Sequence, residues 1–435
     1  MHTSQVYQHV KQAIAPYLEK GKNTFTVALS GGVDSVVLLH VMDALKAQHS
    51  TLTVHAVYVN HGLSEYANDW QQFCQQLCDS LQIPFQAVSV IITQKPRSSL
   101  EALAREARYQ ALDQTSIADS ILLLGQHLND QLETFLLRLK RGSGLQGLAS
   151  MRQTRTLPSG RLCMRPLLEI SREEIEQFAT RFKLEHITDD SNTDERFDRN
   201  FIRKHVVTKL NERFSGFTHS AARSILLLQQ QHDLLNEYCQ VDLMNSQNSD
   251  QGLRCASLQQ FSKIRQANVL RCWLAQFTTL MPSKKQLEQI LLQGLTAQAD
   301  AQLQIQLQAG QVKRHQGHLY FVTNTVQAQP QSLSTEQHRL SDGRKLVLKQ
   351  GKGIREPHHD EQVTVKFNCP LARIRPLYKP GSNTVKHWLK EAKVAPWLRA
   401  NVPLIFYDQQ LVQVVGYFVS AEHQNDSGIF WEVER

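Results

Sequence analysis

Residues 24–37 read TFTVALSGGVDSVV, and they decide the fold. The β-branched run opening at Thr24 predicts a short buried strand. It passes into Ser30-Gly31-Gly32-Val33-Asp34-Ser35, after which Val33, Val36, Val37, Val41 and Ala44 recur at helical spacing. Strand, glycine turn and helix start make an anion nest: the glycines admit close backbone approach, the first helical amides face outward, and Ser30 and Ser35 add hydroxyls. The lysine of a GxxxxGK[ST] loop is absent, and no GxGxxG occurs in a dinucleotide setting. Asp34 would repel a bare anion but fits a site in which it holds a Mg²⁺ that bridges phosphates. The plainer alternative is a glycine-rich turn with Asp34 as a helix N-cap; the whole string between strand and helix favours a pyrophosphate-sized anion.

Outward from this stretch, strand and helix patterns alternate over the first 150 residues. LTVHAVYVN (52–60), PFQAVSVII (84–92) and SILLLG (120–125) read as strands; 64–82, 98–117 and 130–142 read as helices, the last with Leu132, Phe135, Leu136 and Leu139 on one face. Near-continuously apolar strands alternating with helices predict a parallel sheet covered on both sides, an α/β fold of the doubly wound kind. Ligands in such folds sit at the carboxyl ends of the strands. The loops to inspect therefore follow VALS, VYVN and LLLG. They hold His61, and then His127, Asp130 and Glu133, candidates to bind metal, a base edge or an amine. Asp130 and Glu133, three apart, also fit a variant capping box. Lys140 and Arg141 close that helix with Gly142 as its cap.

At 435 residues the chain predicts two or three domains. We place them at 1–215 (catalytic), 216–325 (mainly helical, ending in a β-hairpin around Leu303, Ile305 and Leu307) and 335–435 (a small α+β module with the helix NTVKHWLKEA), with TNTVQAQPQSLSTEQ (323–337) as the linker. From Arg339 to Arg399 there are 14 Lys or Arg against 5 Asp or Glu, while the whole chain carries +8. A basic C-terminal region beside a near-neutral remainder points to a polyanion, with nucleic acid first. Seven scattered cysteines with no CxxC indicate buried thiols rather than a disulfide framework or zinc site. A polar N-terminus and strand-sized apolar runs predict a cytoplasmic protein with no membrane association.

The string SGGVDS resembles the SGGxDS pyrophosphate loop of the N-type ATP pyrophosphatases, whose fold is adenine nucleotide alpha hydrolase-like. The blocks YVNHGL, GQHLNDQLETFLLRLKRGSGLQGLASM, RPLLEISREEIEQFA, ITDDSNTDERFDRNFIRKHVV and TVKHWLKEAKVAPWLRANVPLIF are similar, in order, to those of the tRNA(Ile)-lysidine synthetase family. The resemblance implies an ATP- and Mg²⁺-dependent ligase that adenylates C2–O of the wobble cytidine of tRNA(Ile) with a CAU anticodon, then replaces it with the ε-amine of L-lysine. It implies Ser30 to Ser35 as the pyrophosphate cradle, and Asp34 and Asp130 at the metal. Asp130, Glu133 and His127 become the catalytic or lysine-binding groups. His61, Arg105, Arg108, Arg199, Asn200 and Arg203 become nucleotide or tRNA contacts. The family commonly has an aspartate where this chain has Asn129. The rivals are a tRNA thiolase, disfavoured by the lack of CxxC, an NAD synthetase, which would not need the basic module, and a non-catalytic RNA-binding protein, disfavoured by the intact loop.

Overall fold

The structure, a computed structural model, describes all residues except 63, 93–99, 189–194, 297–302, 324–327, 334–336 and 435. The chain divides into two compact units, Met1–Asn236 and Glu237–Arg435.

In the first unit the order is α1 (Gln5–Leu18), β1 (Thr24–Ala28), α2 (Val33–Lys46), β2 (Thr53–Asn60), α3 (Ala67–Ser80), β3 (Phe85–Ser89), α4 (Leu100–Thr115), β4 (Ile121–Leu123) and α5 (Leu128–Lys140). It continues through α6 (Leu145–Leu148), β5 (Thr154–Thr156), β6 (Leu162–Met164), α7 (Arg172–Arg181) and α8 (Asp198–Phe201). A π-helical turn, Ile202–Val207, leads into α9 (Thr208–Arg213) and α10 (Phe217–Ser246), within which the first unit ends. The sheet order is β3-β2-β1-β4-β6-β5. All neighbours are parallel except β5, which pairs antiparallel with β6. The expected parallel sheet thus carries one antiparallel edge strand. The chain fills β1 to β3 on one side of β1 and then crosses to β4 on the other. This makes the β1/β4 carboxyl ends the crevice of the sheet.

The two faces are covered differently. Val54, Ala56 and Tyr58 of β2 join a large core with α1, α2 and α7, whereas Val57 and Val59 pack with Ala111 and Leu112 of α4. Helix α2 is buried on nearly every side, from Val33 through Leu45, so its start, the glycine loop, is held fast. Helix α1 was not expected. Ser4 caps it through the Tyr7 N–H, and Val6, Tyr7, Val10 and Ile14 form its buried stripe. On α5 the expected apolar face is corrected: Leu132 and Leu137 are buried, Phe135 and Leu136 half-buried, and Leu139 exposed. The cause is that polar Gln131 and Glu133 take buried places on that helix. Its end is as expected: Gly142 has φ 63°, and the Gly142 and Ser143 amides return to the Leu139 and Arg138 carbonyls.

In the second unit β7 (Leu253–Arg254), α11 (Cys255–Gln259), α12 (Lys263–Ala275), α13 (Lys284–Thr296), β8 (Gln304–Leu307), β9 (Gly310–His315) and β10 (His318–Thr323) enclose a core centred on the fully buried Trp273. The expected hairpin is in fact two consecutive hairpins, β8–β9 and β9–β10, in a sheet ordered β7-β10-β9-β8. Cys239 and Cys272 are joined as a disulfide, which corrects the expectation of thiols throughout; the other five cysteines are free, four of them buried. The sequence held no CxxC or paired spacing to reveal it, because two helices bring the partners together. The remaining strands are antiparallel, in sheets of five, three and two, with the helix Val385–Glu391 beside them. The linker 323–337 lies partly outside the described residues; Gln331–Ser332 within it is a short strand. Among the described residues no helix is long and apolar enough to cross a membrane.

Candidate active site

The glycine loop leaves β1 and starts α2 with Gly32, not Asp34, as its cap. The N-cap alternative for Asp34 therefore fails: its carboxylate faces away from the helix amides and receives the Arg172 guanidinium at 2.7 Å. Gly31 has φ +84°, and a Cβ there would collide with Ile187, whose amide donates to the Gly31 carbonyl at 2.9 Å. Only glycine serves at that point. A Cβ on Gly32 would meet only Ser30 Oγ, at an ordinary contact distance of 3.7 Å. Ser35 Oγ ties the turn, accepting from the Ser30 amide at 3.1 Å and donating to the Gly32 carbonyl at 2.9 Å. Gly125, after β4, lets the third loop pass close to the Asp34–Ser35 backbone.

Helix α5 begins three residues earlier than the Asp130–Glu133 capping box implied. His127 is the N-cap, and its amide donates to Asp130 Oδ2 at 3.1 Å. His127 is buried and spans two acids, with Nε2 3.7 Å from Asp34 Oδ1 and 3.5 Å from Asp130 Oδ2. Burial alone would raise the Asp130 carboxyl, but His127, Arg199, the His127 amide and Arg203 together hold it below the usual carboxylate range. Asp130 is therefore an anion at neutral pH. Glu133 is 1% exposed and takes Arg203 Nε at 2.6 Å and Nη2 at 3.2 Å, with Arg199 Nε at 3.5 Å. Burial pushes its carboxyl up against those cations. Asn129 turns elsewhere, accepting the Arg172 backbone amide at 2.9 Å and so tying the start of α5 to the start of α7.

These groups border a cleft of about 930 Å³ at the crevice, lined from the first loop by Ser30, Asp34 and Ser35, from the second by His61 and Gly62, and from the third by Gly125, Gln126 and Asp130. Arg105 and Arg108 of α4, with Arg199, complete it. Burial disfavours the cationic form of Arg105, and Arg199 and Arg165 add to that effect, while Arg108 is exposed one turn further along α4. Arg105, Arg108 and Arg199 together give this wall of the cleft a positive charge. Arg203 reaches the site through Glu133 and stands 3.9 Å from Asp130 Oδ1. Asn200 is half-buried on α8 and is not part of the cleft wall. The block 187–207, which carried several of these residues, lies partly outside the described residues.

Sequence reasoning missed Arg165, Tyr109 and Arg172. Arg165 is 2% exposed and donates to Gln126 Oε1, to the Arg152 carbonyl at 2.8 Å and to the Tyr109 hydroxyl at 3.3 Å. Tyr109, on the cleft wall, lies between the Arg105 and Arg155 guanidiniums, 5.2 and 4.7 Å from its ring centroid. No spacing signal marks these residues, since folding alone brings them together.

Burial, reinforced by Arg108, pushes the His61 imidazole down to about 4. Its folded value lies below the unfolded one, so the unfolded chain takes the proton first, and stability falls as pH drops from about 6.5 towards 4. The ring is only half-buried, and solvent screening reduces the effect to about 1 kcal/mol, or about 2–4 °C. In melts at pH 7.5 and pH 5, the His61→Gln variant is expected to lose that much of the acid-side decline.

A Mg²⁺ fits the donors here. Asp34 Oδ1 is buried without a hydrogen-bond partner, and burial raises the carboxyl despite His127 and Arg172. Among the described residues no group of three or more His, Cys, Asp or Glu is arranged to hold a metal.

Comparison with known proteins agrees with this geometry. The family model of the PP-loop domain matches residues 2–210, that of the TilS substrate binding domain residues 253–320, and that of the TilS substrate C-terminal domain residues 363–432. The chain is 39% identical to the tRNA(Ile)-lysidine synthase of Serratia proteamaculans, over 92% of this chain and 93% of that protein. It is 38% identical to that of Vibrio vulnificus, over 98% and 99%, and 35% identical to that of Edwardsiella ictaluri, over 100% and 98%. A glycine loop at the β1/β4 crevice, Asp34 and Asp130 beside it, and relatives matched from end to end agree: the chain belongs to the tRNA(Ile)-lysidine synthase family.

Proposed function

We propose that the chain joins L-lysine to C2 of the wobble cytidine of tRNA(Ile) bearing CAU, consuming ATP and releasing AMP and pyrophosphate. The observation that carries this reading is the pairing of a lysine-free glycine loop with Asp130 on the wall of one cleft. No γ-phosphate has to be moved, so no lysine need reach it. The cytidine O2 attacks the α-phosphorus, and the amides and hydroxyls of Ser30 to Ser35 receive the departing pyrophosphate. A Mg²⁺ at Asp34 would neutralise charge on the phosphates. The ε-amine of lysine, deprotonated, then attacks C2; the C2–O bond breaks and AMP leaves. Asp130 orients the incoming ammonium, and His127, between the two acids, is placed to relay its proton. Glu133 acts by holding Arg199 and Arg203. With α-labelled ATP and labelled lysine, one AMP is expected per lysine incorporated; ADP as the product would contradict the reading.

We assign transfer RNA to the C-terminal module and keep 1–215, 216–325 and 335–435 as its domains. Separate cores support the last division, since one closes around Trp273 and others around Trp431 and Trp388. The basic excess is not spread evenly. Lys345, Lys349 and Lys352 pair with Glu434, Glu432 and Asp426. Arg373, Arg375, Lys386, Lys390 and Lys393 are exposed, with no ion-pair carboxylate among the described residues. Lys386 and Lys390 stand four apart on the helix Val385–Glu391, and Lys393 follows just beyond its end with φ 58°. Replacing these three with Ala should weaken tRNA binding and reduce the log–log salt slope by about 2–3. Replacing Lys345 and Lys349 should change the slope little; equal effects from both sets would refute the assignment. A cytoplasmic location belongs to the same reading.

A further inference from the structure

We propose that Arg172 is an internal counter-ion for Asp34: it occupies the carboxylate when no nucleotide is bound, withholds it from free divalent cations, and yields when a nucleotide brings its own. The inference rests on the reading of Asp34 as the metal-binding acid. Arg172 Nη1 lies 2.7 Å from Asp34 Oδ2, while Oδ1 of the same carboxylate is buried and has no hydrogen-bond partner. One oxygen is thus covered by a cation, while the other makes no hydrogen bond and has His127 Nε2 3.7 Å away.

The rest of Arg172 is arranged for release. Its Nε donates to Glu176 Oε1 at 2.7 Å, one turn along α7, so the guanidinium keeps an anionic partner after leaving Asp34. Its backbone amide is pinned by Asn129, and Ser171 and Glu174 form a capping box around the start of α7. Only the side chain has to move. The Arg172 side chain is 40% exposed and that of Asp34 24%, so solvent screens the pair and a divalent ion with phosphates attached can displace it. A bare ion has no phosphates to add and meets an occupied carboxylate. Asn129 gains a role as well: it holds the backbone that presents the arginine.

The test is Mn²⁺ binding followed by electron paramagnetic resonance on the full chain, with and without α,β-methylene-ATP. Without nucleotide, Arg172→Gln is expected to bind Mn²⁺ about tenfold more tightly than the native chain, which corresponds to about 1.4 kcal/mol. Arg172→Lys should behave as native, and the gain should vanish when Asp34→Asn is added. With the analogue, native and Arg172→Gln should differ by less than about threefold. If Arg172→Gln shows no gain without nucleotide while Asp34→Asn weakens Mn²⁺ binding in the presence of the analogue, the counter-ion role is overturned and the metal reading of Asp34 stands. If Asp34→Asn leaves Mn²⁺ binding with the analogue unchanged, the metal reading falls, and the counter-ion role with it.

Discussion

The Asp130→Ala variant is expected to lose lysine incorporation by about 10²–10³-fold, while its melting temperature drops by only a few degrees. In the proposed mechanism Asp130 meets the incoming ammonium, and removing such a preorganised charge typically costs about 10²–10³ in rate. The small stability cost has a separate source: Asp130 Oδ2 accepts the His127 amide at the start of α5, and losing such a cap costs about 1 kcal/mol. Asp130→Asn keeps an acceptor there and removes the charge. It should therefore melt closer to the native chain and be nearly as inactive. Initial rates of labelled lysine incorporation at saturating ATP, with thermal melts on the same preparations, separate the two effects. Full activity in either variant would remove Asp130 from the mechanism.

A larger loss of stability is expected from Arg203→Met. Glu133 is 1% exposed, and Arg203 supplies both of its close hydrogen bonds. Removing the guanidinium leaves a buried carboxylate with only Arg199 at 3.5 Å. Orphaned buried charges cost about 3–5 kcal/mol, and the remaining arginine places the expectation near 3 kcal/mol. Adding Glu133→Gln should restore part of the loss, so the double variant should be more stable than Arg203→Met alone; additivity in the cycle would contradict the pairing. The pH dependence has a definite sign. Burial already raises the Glu133 carboxyl above its usual range, and losing Arg203 raises it further. The folded chain then holds the proton where the unfolded chain has lost it. Arg203→Met should accordingly regain stability as pH falls towards the ordinary glutamate range, and lose it as pH rises through the raised value. Denaturant melts between pH 5 and pH 8 measure this.

The sheet was legible because its strands are short, apolar and separated by helices with clear periodicity, and because the glycine loop marks where the first of them ends. The three loops named from strand order line one cleft. The start of α5 was misjudged by three residues, since Asp130 is a frequent cap type and His127 is not; His127 holds the cap position through its extended backbone and its amide bond to Asp130. Arg172 could not be found from spacing. It sits 138 residues from Asp34 in a helix start whose sequence advertises only a capping box. Arg165 reads as an ordinary basic residue until burial removes it from water and leaves Gln126 and Tyr109 as its partners. The Cys239–Cys272 bond was hidden for the same reason. In the C-terminal module the excess of cations was visible, but their distribution was not, because Glu432 and Glu434, which neutralise part of it, lie far along the chain and meet Lys349 and Lys345 only across paired strands.

The central claim is that C2–O of the wobble cytidine is exchanged for the lysine ε-amine. The direct measurement is to incubate the chain with ATP, Mg²⁺, lysine and tRNA(Ile) carrying CAU, digest the tRNA to nucleosides, and weigh them by mass spectrometry. The predicted result is a new nucleoside, heavier than cytidine by one lysine less one water, present only when both ATP and lysine are supplied. Unmodified cytidine from tRNA that nonetheless binds the chain, or a cytidine bearing sulfur in place of oxygen, would contradict it.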